Sequence, residues 1–171
     1  IGNYNPLSFA SSNPITHPDS ISQGIIAAVS ADSLKSYLVT LGTFHNRNTG
    51  SDTVSSSIGI GAARRWVHSK FAEFSIANDN RLLPSYLQFD TTLCGSPQHR
   101  NIFAVLPGSD TSDKSIVIME GHIDSRCSNV CDTSCLAQGM EDNGSGTVLV
   151  MELARVMSRF TFKHTIVFLV T

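Results

Sequence analysis

Three side chains have the type and position to do metal chemistry: His122, Asp124 and Asp142. The pair His122-Ile-Asp124 follows the apolar run Ile116-Val-Ile-Met119, which reads as a strand, so the pair stands at a strand's carboxyl end. Residues two apart at such an end can project to the same side. A metal-bound imidazole usually donates its other N–H to a carboxylate, which fixes the tautomer, and this gives Asp124 a role beside His122. Taken alone, the pair fits a surface histidine beside a turn aspartate at least as well. Asp142 lies between Glu141 and Asn143, just before Gly144-Ser-Gly146 and a long apolar segment. Its two oxygens could each face one cation, and the glycines would let the backbone pack close. The plain alternative is an acidic helix start with Asn143 or Ser145 as N-cap. Glu141 is read as a solvated neighbour of the site. Glu152 is read as a partner for Arg155 or a satisfied surface group.

Of the four cysteines, three fall in the run Cys127-Ser-Asn-Val-Cys131-Asp-Thr-Ser-Cys135. Zinc–thiolate sites usually set cysteines closer together and pair them with a distant second pair, which is missing here. A disulfide within the run is therefore expected, in an oxidising compartment, with Cys94 available as a further partner. A phosphate loop at Gly144-Ser-Gly146 is a weak alternative, because no glycine-rich fingerprint joins a strand directly to a helix.

The elements that must position these groups follow from hydrophobic periodicity. Residues 1–18, rich in Pro, Asn and Ser, read as an extended arm. Asp19 or Ser20 caps a helix carrying Ile21, Ile25, Ile26 and Val29. A second helix follows Ser30 or Asp32, with Leu34, Leu38 and Leu41 on one face and Gly42 as its stop. Residues 45–56 are polar and read as a loop. Ile60, Ala63, Val67, Phe71 and Phe74 step by three and four, so a long helix is predicted there, with Trp66 in the core. Strands are predicted over 83–93, 101–106 and 115–120, separated by turns at Pro97 and Pro107-Gly108. A buried helix over 146–159 and a strand over 165–171 complete the chain. The predicted fold class is α/β, a three-layer α/β/α sandwich with a mixed, centrally parallel sheet. The strands at Ile116 and Thr165 should be parallel and central, because both are apolar on both faces. In open sheets of this kind ligands bind outside the carboxyl ends of the strands, where His122 stands.

Composition narrows the function classes. A net charge of −2 gives no electrostatic footprint for nucleic acid or an anionic membrane, so neither partner is expected. No apolar run reaches the roughly 18 residues of a membrane span. The chain opens on Ile1 with no basic region leading into an apolar one. Richness in Ser, Asn and Thr with few lysines fits export, so a secreted or periplasmic location is expected.

Taken in order, Gly121-His-Ile-Asp-Ser-Arg126, Gly139-Met-Glu-Asp-Asn-Gly-Ser-Gly146, Glu152-Leu-Ala-Arg155 and Thr165-Ile-Val-Phe-Leu-Val-Thr171 resemble metallopeptidase family twenty-eight. These are co-catalytic di-zinc aminopeptidases, including secreted bacterial and fungal leucine aminopeptidases. The resemblance is strong over 101–171 and weaker before, where 59–66 looks like the family's surface helix. It implies a zinc exopeptidase-like fold with two zinc ions, acting on peptide or protein N-termini. His122 would be the terminal ligand of one zinc and Asp124 the carboxylate that orients it. Asp142 would bridge both ions, with a cis peptide bond to Asn143. In the family the strand matching 165–171 runs into Gly-Glu-Glu, which holds the general base and a zinc ligand. The expectation is thus that 19–171 is the N-terminal portion of a single zinc peptidase domain, inactive by itself. Two other functions stay open on the same fold. One is a glutaminyl cyclase using a single zinc, whose relatives tend to lack the His-x-Asp pair. The other is a binding domain without catalysis.

Overall fold

The computed structural model describes residues 5–171. Helices α1 (Pro18–Ala28), α2 (Ala31–Gly42) and α3 (Gly59–Ile76) precede strands β1 (Leu83–Leu93), β2 (Ser96–Leu106) and β3 (Ile116–Gly121). Helix α4 (Ser145–Met157) and strand β4 (Thr165–Val170) follow. The strands form one sheet in the order β1-β2-β4-β3. β1–β2 and β2–β4 pair antiparallel, whereas β3–β4 pair parallel. The sheet is therefore mixed and the class α/β, as the alternation of periods predicts.

Most helix starts follow local chemistry. Ser30 caps α2, its hydroxyl accepting the Ser33 N–H at 3.1 Å. α1 begins at Pro18, ahead of the predicted cap at Asp19 or Ser20, and His17 Nδ1 accepts the Asp19 N–H at 3.3 Å. Proline suits the first helical position because its fixed φ is helical and the N–H it lacks would be unpaired there. The arm is not extended throughout: Pro6–Phe9 form a 3₁₀ turn, and residues 1–4 lie outside the described residues. Glu152 is the partner of Arg155 that the sequence suggests. It is 1% exposed rather than on the surface, accepts the Ser30 N–H at 2.7 Å, and pairs with Arg155 at 2.6 Å. One buried carboxylate thus ties α4 to the start of α2.

The β1–β2 turn sits at Cys94-Gly95, both with positive φ, and not at Pro97. Pro97 lies inside β2 where the register shifts, opposite the irregular stretch between Asp90 and Leu93. A residue without an N–H is tolerated there because the ladder is already interrupted.

α3 packs on β1 and β2, α4 packs on β3 and β4, and the two helices touch, so both cover one face of the sheet. Leu41, Ile60, Phe71, Ile102, Met151 and Phe168 fill the layer between. β4 is flanked on both sides, as expected. β3 instead borders the sheet among the described residues, and Ile116, Val117 and Ile118 are 44–60% exposed. An apolar run shows that a strand can be buried on both faces, but not which elements cover it.

Candidate metal centre

The end of β3 and the start of α4 meet without side chains between them. A Cβ on Gly121 would lie 2.7 Å from the carbonyl carbon of Gly146, so only glycine allows this approach. Thr147, in the first turn of α4, donates its hydroxyl to the His122 carbonyl at 2.9 Å. Ile123 N–H donates to the Thr171 carbonyl at 2.8 Å, which extends the β3–β4 pairing past His122. The backbone of His122 is thereby held on both sides.

His122 Nδ1 lies 2.8 Å from Asp124 Oδ1, and Nε2 lies 3.3 Å from Asp142 Oδ1. Asp142 belongs to one wide, irregular turn, Met140–Gly144, and its peptide bond to Asn143 is cis. Asn143 Oδ1 accepts the Gly146 N–H in the first turn of α4 at 3.0 Å. That leaves the Asp142 carboxylate, 80% exposed, turned toward the histidine. The three predicted site residues come together, and Glu141 is exposed beside them on the same open pocket of about 550 Å³.

The geometry suits a cation. With the Nδ1 proton donated to Asp124, Nε2 presents a lone pair, and a lone pair facing a carboxylate oxygen at 3.3 Å is repulsive unless a proton or cation lies between. Two tetrahedral zinc ligands, each at about 2.0–2.1 Å from the ion, stand about 3.3–3.4 Å apart. An imidazole nitrogen and a carboxylate oxygen are both zinc ligands, so the donors fit the metal. They are too few to close a site. Among the described residues no group of three or more His, Cys, Asp or Glu could hold a metal ion.

Sequence reasoning missed the residue beneath this centre. Arg47, in the segment predicted as a loop, is 0% exposed. Its guanidinium donates to the carbonyls of Leu41 (2.9 Å), Ile123 (2.8 Å), Gln138 (2.6 Å) and Gly139 (3.0 Å). Burial pushes it down to about 10, with the charge of Asp124 opposing, so it is still a cation at neutral pH. Nothing in the polar run 45–56 sets this arginine apart from an ordinary solvated one.

Two disulfides hold the long loop, Cys127–Cys135 within the run and Cys94–Cys131 to the β1–β2 turn. The expected local pair is present, and Cys94 joins the remaining cysteine.

A family model described as peptidase family M28 matches residues 101–171. This part of the chain belongs to peptidase family M28. A protein of Leptosphaeria maculans named "Probable zinc metalloprotease" is 31% identical to this chain over 154 residues, 88% of this chain and 36% of its own length. The chain spans about a third of the length of the curated relatives it matches. In fold it is similar to the LapA aminopeptidase of Legionella pneumophila, with a TM-score of 0.68 at 22% identity, over 94% of this chain and 39% of that one. A glutaminyl cyclase of Porphyromonas gingivalis shares the fold less closely, with a TM-score of 0.59 at 21% identity, over 84% of this chain and 46% of that one.

Proposed function

We propose that this M28 segment belongs to a zinc-dependent aminopeptidase that hydrolyses the N-terminal bond of peptides or proteins. The observation that carries the proposal is the 3.3 Å separation of His122 Nε2 and Asp142 Oδ1, with Asp124 behind the imidazole at 2.8 Å. Bound zinc would supply a water that loses its proton near neutral pH and a Lewis acid for the scissile carbonyl. In this assignment His122 would hold zinc through Nε2. Asp124 holds the Nδ1 proton and thereby keeps the Nε2 lone pair directed at the ion. Asp142 would hold zinc through its carboxylate. The general base and the remaining ligands are assigned to residues outside 1–171. Paired disulfides support a secreted or periplasmic location, since such bonds persist in oxidising compartments.

The test uses the full-length protein. Metal analysis should find two zinc ions per chain, and aminoacyl-p-nitroanilides should be cleaved while N-acetylated peptides are not. A single zinc with conversion of N-terminal glutamine to pyroglutamate would replace the proposal with the cyclase. Absence of bound zinc and of hydrolysis would leave a binding domain.

A further inference from the structure

Helix α3 carries two adjacent arginines that meet different fates. Arg65 is exposed and donates to the carbonyls of Thr53 (2.9 Å), Val54 (3.3 Å) and Ser55. Arg64 turns inward, is only 9% exposed, and its buried Nε has no partner among the described residues. Both line a pocket of about 340 Å³ with Arg100, Tyr86, Ser96 and Gln98. Arg100 Nε donates to Gln88 Oε1 at 2.8 Å, and its guanidinium carbon stands 5.9 Å from the centre of the Tyr86 ring. His68 stacks on Tyr86 at 4.5 Å.

Charge in this pocket is unbalanced. Burial is the main force pushing Arg64 down to about 10, and repulsion from Arg100 adds to it. Asp124 and Tyr86 oppose the shift with smaller effects. A buried cation without a bonded acceptor is costly and persists where something supplies the missing charge. Guanidinium forks match the oxygens of carboxylates and phosphates with paired hydrogen bonds. A volume near 340 Å³ is at the small end of ligand pockets, which suits a compact anion.

We propose that Arg64 and Arg100, with Tyr86 as a wall, form a binding site for a small oxyanion, a carboxylate or a phosphate. The pocket shares no lining residue with the His122 centre, although the charge of Asp124 reaches Arg64, and the proposal does not rest on zinc being bound there. The test measures thermal unfolding of the full-length protein in inorganic phosphate and, separately, in succinate, with chloride holding ionic strength constant. At least one anion should raise Tm of the wild type in a saturable way, because a ligand that binds only the folded state stabilises it. Arg64→Gln and the exposed Arg100→Gln should each abolish that rise, while Lys35→Gln on α2 should keep it. The phosphate and succinate curves show which anion chemistry the pocket prefers. Without added anion, Arg64→Met should unfold at the same temperature as wild type or higher, since an uncompensated charge has gone. No saturable response in the wild type, or an equal response in Arg100→Gln, overturns the proposal. Loss of stability in Arg64→Met with no anion effect also overturns it, because that is the signature of a carboxylate elsewhere in the protein already filling the pocket.

Discussion

Arg47 donates its backbone N–H to Ser125 Oγ at 3.0 Å, and the same hydroxyl donates to the Ala137 carbonyl at 2.5 Å. Together with the four carbonyls held by its guanidinium, Arg47 locks α2, the strand end at Ile123 and the Gln138-Gly139 approach to Asp142 into one unit. Arg47→Leu should cost at least about 3 kcal/mol, because several buried acceptors lose their donor. Arg47→Lys should recover only part of this, since an ammonium has three donors and no planar fork. Urea unfolding checks both. A midpoint unchanged in Arg47→Leu would show that water replaces the guanidinium freely.

This lock also shows where the sequence was legible. The stripe Ile60, Ala63, Val67, Phe71 fixes α3 because each of these side chains is buried on one helix face. His122, Asp124 and Asp142 could be singled out because they border strongly patterned elements. Arg47 and Ser125 could not, because their partners are backbone carbonyls and hydroxyls that any loop offers. Arg64 lay hidden for a related reason: one arginine of an adjacent pair is buried and the other is not, and helical phase alone does not say which packing the sheet imposes. The position of β3 depends on which strand pairs beside it, a long-range fact that the run Ile116-Val-Ile-Met119 does not contain.

The two disulfides close loops of different length. By the loop-entropy relation, Cys94–Cys131, separated by 37 residues, is expected to contribute about 4 kcal/mol, and Cys127–Cys135, separated by 8, about 2.5 kcal/mol. Paired Cys→Ser variants should therefore lose more stability at Cys94/Cys131. Equilibrium unfolding of the two variants gives the order, and the reverse order would count against loop closure as the source.

Asp79 tethers the N-terminal arm. Its Oδ2 accepts the Ser12 N–H at 3.2 Å, the Ser12 hydroxyl at 3.0 Å and the Ser11 hydroxyl at 3.5 Å. The backbone bond from Ser12 is the main cause that holds its carboxyl below the ordinary 3.8. A depressed folded value means the tether is complete above pH 3.8 and is lost as pH falls through the lower folded value. Asp79→Asn is the suitable variant, because Asp79 has φ 58° and asparagine tolerates that region. The Ser12 amide should be less protected from hydrogen exchange in Asp79→Asn at neutral pH, and the wild type should lose its protection, relative to the intrinsic rate at each pH, only in acid. Equal protection in the two proteins at neutral pH would show that the charge is not what holds the arm.

Asp124 offers the sharpest test of the metal centre, because it touches the histidine and not the proposed ion. Its carboxylate at 2.8 Å from Nδ1 selects the tautomer whose Nε2 lone pair faces Asp142. Asp124→Asn keeps the size and much of the geometry but removes the charge that makes the imidazole a stronger donor to metal. The amide can also turn its NH₂ toward Nδ1, which moves the ring proton to Nε2 and into the gap before Asp142. Zinc would then compete with that proton. Loss of a carboxylate behind a ligating histidine typically lowers metal affinity about 10–100-fold, or about 1.4–2.7 kcal/mol. Chelator competition on the full-length protein measures the affinity, and nitrogen–proton NMR of the metal-free form reads which ring nitrogen carries the proton. The expected result is weaker zinc binding together with a shift of the proton to Nε2. Weaker binding with the tautomer unchanged would mean that Asp124 acts through its charge alone. Unchanged zinc affinity would remove Asp124 from the centre while leaving His122 and Asp142 in place.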